Sequence, residues 1–249
     1  MTALLSDSYR VALVTGASRG IGAAITQKLA AEGVHVLALA RSESALAEVA
    51  KLPGVEPIAA DVTDLATLKI FEGREIDILV NNAGGIGSLG ALQDQTVEET
   101  AQVIALNLTA PLLMIQAALP GMVARKRGHI LSLSSAVAKA VFPNTTTYAA
   151  AKAGLSRAHE VLRYDLAGTN VRFTEIVPGR VETDFYLEAF GQDSERLERT
   201  MFKAQRVLSP EDVAVAAISA LKMPQHVDVS RIDLMPTDQA WGGSVQRSH

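Results

Sequence analysis

Short runs that are apolar throughout alternate along the chain with longer stretches in which apolar residues recur at helical spacing. Val11–Val14 is the first such run, followed by a glycine-rich turn and a helix to about Ala31 that Gly33 stops. Val34–Ala40 reads as the next strand, Ser42–Lys51 reads as helical, and Pro53-Gly54 breaks it. Val55–Ala59 and Ile76–Val80 are further strands, separated by a short amphipathic segment after Asp64. From Val97 to about Arg125 the pattern is helical, and Pro111 inside it predicts a kink or break. Ile130–Leu133 reads as strand, Tyr148–Ala167 as a helix stopped by Gly168, and Val171–Val177 as strand again. Asp212–Leu221 is helical, with Ser209 as its cap and Pro210 in its first turn, and Arg231–Met235 closes the series.

Strands that are apolar throughout are buried on both faces. Seven of them alternating with helices predict a doubly wound, seven-stranded parallel sheet with helices on both sides. No repeat, low-complexity tract or linker interrupts the alternation, so residues 1–249 read as one domain. Glu182–Gln205 is polar and charged between two ordered elements. Its position predicts a substrate lid at about 182–206.

Composition narrows the function classes. At 48% hydrophobic the chain can build a sizeable core, and with only 4% aromatics that core must be mainly aliphatic. The net charge of −4, without a block of like charges, offers no basic stripe for nucleic acid. Met1–Arg10 lacks the apolar centre of a signal peptide, and no uninterrupted apolar run approaches the ~18 residues of a membrane span. Without cysteine there is no disulfide framework, thiolate zinc site or thiol catalysis. The five histidines stand singly and read as surface or half-buried polar residues. These features together predict a cytoplasmic protein that binds neither nucleic acid nor membrane.

Thr15-Gly16-Ala17-Ser18-Arg19-Gly20-Ile21-Gly22 leads directly from the first strand into the first helix. Glycines at 16, 20 and 22 permit a tight turn and a close backbone approach to a pyrophosphate. The helix N-terminus behind them offers free N–H groups and the positive end of its dipole. Any tight strand–helix turn can use glycine, so the pattern gains its meaning from its place after an N-terminal strand. Which dinucleotide would bind depends on the end of the second strand, where NAD enzymes place an acid against the ribose hydroxyls. Here the strand ends Ala40-Arg41, with no acid before Glu43. A 2′-phosphate would meet Arg41 and Arg19, which favours NADP(H). In the other reading both arginines are solvated and Glu43 reaches the ribose.

Tyr148 and Lys152 lie four apart on one helical face. A phenol of pKa ~10 exchanges protons poorly at neutral pH, and a neighbouring ammonium is expected to lower it. A Tyr/Lys pair at this spacing is also common as a surface contact. Other polar segments stand after strands, on the sheet edge where open α/β folds bind ligands: Asn81-Asn82-Ala83-Gly84, Ser134-Ser135, and Pro178-Gly179 with Thr183. Asn107 lies within the long helical region.

The Gly-x-x-x-Gly-x-Gly turn, Asn82-Ala83-Gly84, Ser135, Tyr148-x-x-x-Lys152 and Pro178-Gly179, in this order, resemble the short-chain dehydrogenase/reductase family from Thr15 to Thr183. The resemblance implies a Rossmann fold and a catalytic tetrad of Asn107, Ser135, Tyr148 and Lys152. In it the tyrosine is the general acid–base and the serine binds the substrate oxygen. The lysine binds the nicotinamide ribose and lowers the tyrosine pKa, and the asparagine holds a relay water. It also implies cofactor contacts at Gly16, Ser18, Arg19, Gly20, Ile21, Gly22 and Arg41. Asp61 and Val62 match the adenine contact, Asn82, Ala83 and Gly84 the floor beside the nicotinamide, and Pro178, Gly179, Val181 and Thr183 the carboxamide segment. Ser134 is a second candidate for substrate contact, and register against Tyr148 favours Ser135. The segment Asp64–Glu75 is short for the family's fourth helix.

The runs Pro178–Phe185 and His226–Thr237 resemble the NADP-dependent 3-hydroxy acid (serine-type) dehydrogenase branch. That implies a small hydroxy-acid substrate and a cation for its carboxylate, with Arg180, Arg196 and Arg199 as candidates. A broad aldehyde/ketone or 3-oxoacyl reductase would use the same tetrad with another lid, and a nucleotide sensor would not need the tyrosine and lysine present here. The small residues Ala149, Ala150, Ala151, Ala153, Gly154 and Ala158 allow close helix approach. They suit either packing on the sheet or the homo-oligomer, tetramer or dimer, that the resemblance implies.

Overall fold

Pairing of the apolar runs gives a seven-stranded sheet, parallel throughout, in the order β3-β2-β1-β4-β5-β6-β7. The strands are β1 (Val11–Thr15), β2 (His35–Ala40), β3 (Val55–Ala59), β4 (Ile78–Asn81), β5 (Gly128–Leu133), β6 (Val171–Pro178) and β7 (Arg231–Leu234). The helices are α1 (Gly20–Ala31), α2 (Glu43–Leu46), α3 (Val97–Ile104), α4 (Ala110–Ala124), α5 (Thr146–Asp165), α6 (Ser194–Leu197) and α7 (Pro210–Leu221). The computed structural model describes residues 4–187, 189–197 and 206–239.

Two apolar layers cover the sheet and make it one domain. On one face Val14, Val80 and Leu131 pack with Ile25 and Leu29 of α1 and with Val213 and Ala217 of α7. On the other, Leu13, Leu79 and Ile130 pack with Met114, Ile115 and Met122 of α4. β3 is an edge strand, which is where its Pro57, lacking an N–H, can be accommodated. Ser209 and Asp212 form a reciprocal cap that starts α7, with Pro210 in its first turn.

Several elements depart from the expected pattern. The helix expected over Ser42–Lys51 is only α2 and a separate 3-10 turn, Val49–Lys51. The segment after Asp64 is a 3-10 helix, Leu65–Phe71, where the family resemblance implied a full helix. Val97–Ala124 as a whole has the length and hydropathy of a membrane span, with a mean hydropathy of 1.7, although Gln102, Asn107, Thr109 and Gln116 interrupt its apolar runs. It is broken by a π turn at Ala105–Thr109, and its apolar side chains enter the sheet core. Pro111 has no N–H to return to the Asn107 carbonyl four residues back, which accounts for the widened turn before it.

Two histidines also correct the reading of all five as surface or half-buried groups. His129 is 0% and His159 2% exposed. Their Nε2 atoms hydrogen-bond the hydroxyls of Thr174 and Ser132, each at 2.8 Å, on opposite faces of the sheet. Burial holds the His159 imidazole down at about 4 and that of His129 well below its usual range, so both are neutral.

Candidate active site

The chain reverses its direction across the sheet between β1 and β4, and open α/β sheets bind ligands at such a point. Thr15 ties the two strand ends together. Its hydroxyl donates to the Val80 carbonyl at 3.2 Å and accepts from the N–H groups of Asn82 and Ala83, each at 3.0 Å. Beyond it Gly16 takes φ +65 and Gly20 φ +54, conformations that favour glycine. The Asn82 amide donates to the carbonyls of Thr15 and Gly16 at 2.9 and 3.1 Å. Asn82 therefore braces the turn as well as bordering the cleft. A Cβ at Gly22 would fall on the Gly16 carbonyl oxygen, and one at Gly20 would press on the Thr183 methyl. Gly22 packs behind the turn, which leaves the N-terminus of α1 facing an open cleft.

That cleft has a volume of about 660 Å³, within the usual range for cofactor sites. Gly16, Ser18, Arg19, Gly20 and Ile21 border one end, and Arg41, Asp61 and Val62 extend it past β2 and β3. Asn82, Ala83 and Gly84 enter from β4, and Pro178, Gly179, Val181 and Thr183 from beyond β6. Ser42 and Ala45 line it beside Arg41, whereas Glu43 does not. The Thr63 N–H holds the Asp61 carboxyl below its usual range, with smaller help from the Thr63 hydroxyl and Arg41. Arg19 stands 3.7 Å from Asp184, both largely exposed, a weak pair that leaves the guanidinium available. A bare helix N-terminus, glycines that keep its approach clear, the Arg19 guanidinium in the β1–α1 turn and the Arg41 guanidinium past β2 form a donor set that fits a phosphorylated dinucleotide.

Tyr148 and Lys152 project from α5 into the middle of this cleft, 5% and 4% exposed. The Lys152 amine stands 5.7 Å from the Tyr148 ring centre and donates to the Leu133 carbonyl at 2.7 Å. Ser135, two residues past that carbonyl, hydrogen-bonds Tyr148 and accepts from the Val137 N–H to cap a short 3-10 turn. Its neighbour Ser134 also borders the cleft, with a buried hydroxyl that has no partner. Asn107 is wholly buried in the π turn and lies behind the cleft wall. Its amide donates to the carbonyls of Gly85 and Val103 at 2.8 and 2.9 Å, and its oxygen accepts from the Gly85 N–H at 3.3 Å. Gly84 separates it from Lys152: a Cβ there would lie 2.9 Å from Asn107 Oδ1 and 3.6 Å from Lys152 Nζ.

Electrostatics correct one expectation. Burial, not the amine, sets the phenol in this site. Burial pushes Tyr148 well above its ordinary value and the Tyr186 phenol adds to this, against the lowering effect of the Ser135 hydrogen bond. Burial also pulls Lys152 down to about 8, opposed by the charge of Glu175. Desolvation outweighs pair attraction at both groups.

Sequence reasoning passed over the aromatic pair Phe185-Tyr186. Phe185 stands 5.9 Å from the Tyr148 ring and 5.2 Å from Tyr186, and both border the cleft. Two aromatics inside a polar segment of an aromatic-poor chain were the available signal. The Arg180 charge acts on the Tyr186 phenol, lowering it against burial, which raises it. Arg199 lies outside the described residues, as does the Arg196 side chain.

Residues 10–193 match the family model described as short chain dehydrogenase. The chain belongs to the short-chain dehydrogenase family. Among its relatives is an uncharacterized short-chain type dehydrogenase/reductase of Sinorhizobium fredii, 39% identical, the match covering 96% of each chain. The NADP-dependent 3-hydroxy acid dehydrogenase YdfG of Salmonella typhi is 34% identical, over 96% of this short-chain dehydrogenase and all of the relative. The closed form of serine dehydrogenase complexed with NADP+ superposes with a TM-score of 0.89 at 33% identity, over 96% of this chain and all of that one.

Proposed function

We propose that the protein is an NADP(H)-dependent oxidoreductase that moves a hydride between the nicotinamide and the carbon of a carbonyl or secondary alcohol. The observation that carries this reading is the convergence of Ser135, Tyr148 and Lys152 on one cleft whose far end is a phosphate cradle. The bound nicotinamide supplies the hydride or accepts it. The N-terminus of α1 with Gly16, Ser18, Gly20 and Ile21 holds the pyrophosphate, and Arg41 and Arg19 hold the 2′-phosphate. Asp61 and Val62 border the adenine, and Asn82, Ala83, Gly84, Pro178, Gly179, Val181 and Thr183 enclose the nicotinamide end.

Ser135 and Tyr148 bind the substrate oxygen. In reduction the Tyr148 hydroxyl, kept protonated by burial, donates its proton to the developing alkoxide. Lys152 donates to the nicotinamide ribose, and its charge stabilises the phenolate that forms. Asn107 fixes the Gly84-Gly85 backbone, and the water-relay role implied by resemblance would be played from behind that wall.

The substrate class in this reading is a small 3-hydroxy acid, supported by the relatives' names and by Arg180 at the base of the segment 182–206, which serves as the lid. A cytoplasmic homo-oligomer, dimer or tetramer built on the small-residue face of α5, completes it. The test is a panel of hydroxy acids, simple alcohols, ketones and aldehydes assayed with NADP(H) and NAD(H). Turnover of hydroxy acids with NADP+ supports the reading. Turnover of neutral carbonyls alone removes the hydroxy-acid assignment, and no turnover of any member removes the enzyme. Sedimentation reads the assembly.

A further inference from the structure

Glu175 lies in the middle of β6, 5% exposed, with an Oε1 atom that has no hydrogen-bond partner. A carboxylate placed there is costly unless a cation faces it. Its surroundings follow from the register. Glu175 is opposite Ser132 of β5, and the next pair along is Ile176 and Leu133. Side chains two apart on a strand share a face, so Glu175 points to the side where Phe173 meets His159 of α5, edge to face at 5.8 Å. Ser132, hydrogen-bonded to His159, lies on that same side. The Lys152 amine reaches this level of the sheet to bond the Leu133 carbonyl.

We propose that Glu175 is a positioning residue for Lys152, a buried carboxylate beneath α5 that keeps the amine charged and aimed at the cleft. This rests on the role given to Lys152 above and goes beyond it, since Glu175 touches neither the cleft nor a ligand in it. The groups facing Lys152 are few. From its own helix come Tyr148 and, two turns on, His159, with Arg163 beyond it paired to Asp228. From β6 comes Glu175, whose neighbour across the register on β7 is Arg231, itself paired with Asp233. From the π turn comes the neutral Asn107 amide. His159 is neutral and Tyr148 is a protonated phenol, so Glu175 supplies the negative charge. The direction agrees: its charge raises Lys152, against a larger lowering by burial.

The consequence is a pH limit. Lys152 is charged below its pKa, and the phenol above is pushed to higher pH than the amine. The alkaline limb of turnover therefore reports loss of the Lys152 proton. Without Glu175 burial acts unopposed, and this limb moves to lower pH.

The test compares wild type with E175Q and E175D by two readouts. The first is carbon-13 NMR titration of the apo protein labelled at lysine Cε, with Lys152→Met assigning the resonance. The second is the pH profile of kcat with NADPH and a substrate from the panel. The expected result for E175Q is a fall of about one pH unit or more in the Lys152 midpoint, with the alkaline limb following it. E175D, which keeps the charge a methylene further away, should lie between. If E175Q does not fold, E175D alone carries the test, and a shift in the same direction is required. An unmoved Lys152 midpoint in a folded variant, with only melting temperature or pH-independent kcat altered, overturns the proposal. The apo titration is independent of turnover, so failure of the oxidoreductase reading leaves this result readable.

Discussion

The Lys152 amine donates to the main-chain carbonyl of Leu133 at 2.7 Å, tying the first turns of α5 to the last residue of β5. The same strand end runs on into Ser134-Ser135, and the same helix carries Tyr148 one turn earlier. One strand–helix contact therefore registers the Ser135 hydroxyl, the phenol and the amine together. A rigid strand and a rigid helix set their spacing, which is what alignment of a reacting oxygen needs.

Tyr148→Phe keeps the ring that packs against Phe185 and removes only the hydroxyl. The expected outcome is a loss of kcat of about 10²–10⁴-fold, the usual worth of a positioned general acid. NADPH affinity should stay essentially unchanged, because the cradle lies at the other end of the cleft. Steady-state rates and fluorescence titration with NADPH check the two halves. Near-wild-type turnover would remove Tyr148 from its role.

Arg41 borders the cleft at the end of β2, a strand end that carries no acid of its own, and its charge reaches the Asp61 carboxyl across the cleft wall. Arg41→Ala should weaken NADPH binding about 10–100-fold, the worth of a hydrogen bond to a charged group at about 1.5–3 kcal/mol. NADH binding should barely change. Arg19→Ala should act in the same direction and more weakly, since Asp184 competes for that guanidinium. Equal affinity of the wild type for NADPH and NADH would contradict the assignment of both arginines.

The strands and the cradle were legible in the sequence because their signals are local. An apolar run bounded by turn residues says strand, and glycines before a helix say close approach. The Ser135–Tyr148 pairing was legible from motif order, with register choosing Ser135 over Ser134. What was illegible depends on burial. Whether an amine acidifies a phenol is decided by how far each is desolvated, and no spacing rule carries that. His129, His159 and Glu175 look like ordinary polar interruptions of strands and a helix. Only the sheet order shows that each is enclosed.

Buried neutral histidines make acid stability a readable property. The unfolded chain takes up a proton at His159 near pH 6.5, whereas the folded protein resists until about pH 4. Between these values the unfolded state binds more protons, so stability falls as pH is lowered through that window. His129 acts in the same direction. For His159 the effect is bounded at about 3 kcal/mol. His159→Gln should make the decline of melting temperature between pH 6.5 and pH 4 less steep. An unchanged slope would mean that His159 is protonated without opening the α5–β5 contact.

Gly22 and Gly90 separate the two reasons a glycine can occupy a position. Neither is held at positive φ, so alanine meets no backbone strain at either. At Gly22 a Cβ would fall on the Gly16 carbonyl and crowd the Asn82 amide, groups fixed by backbone and by the brace between β1 and β4. Relief requires α1 to back away from the turn, which spoils the cradle as well as the packing. Gly22→Ala should cost about 1–3 kcal/mol of stability, as overpacking of a tight contact does, together with most of the NADPH affinity. At Gly90 a Cβ meets nothing within 4 Å. Gly90→Ala should be neutral or stabilising by up to about 1 kcal/mol, through the entropy of the unfolded chain. Denaturant melts and NADPH titrations of the pair decide it. Gly22→Ala with wild-type affinity would show that the helix can retreat without disturbing the phosphate site.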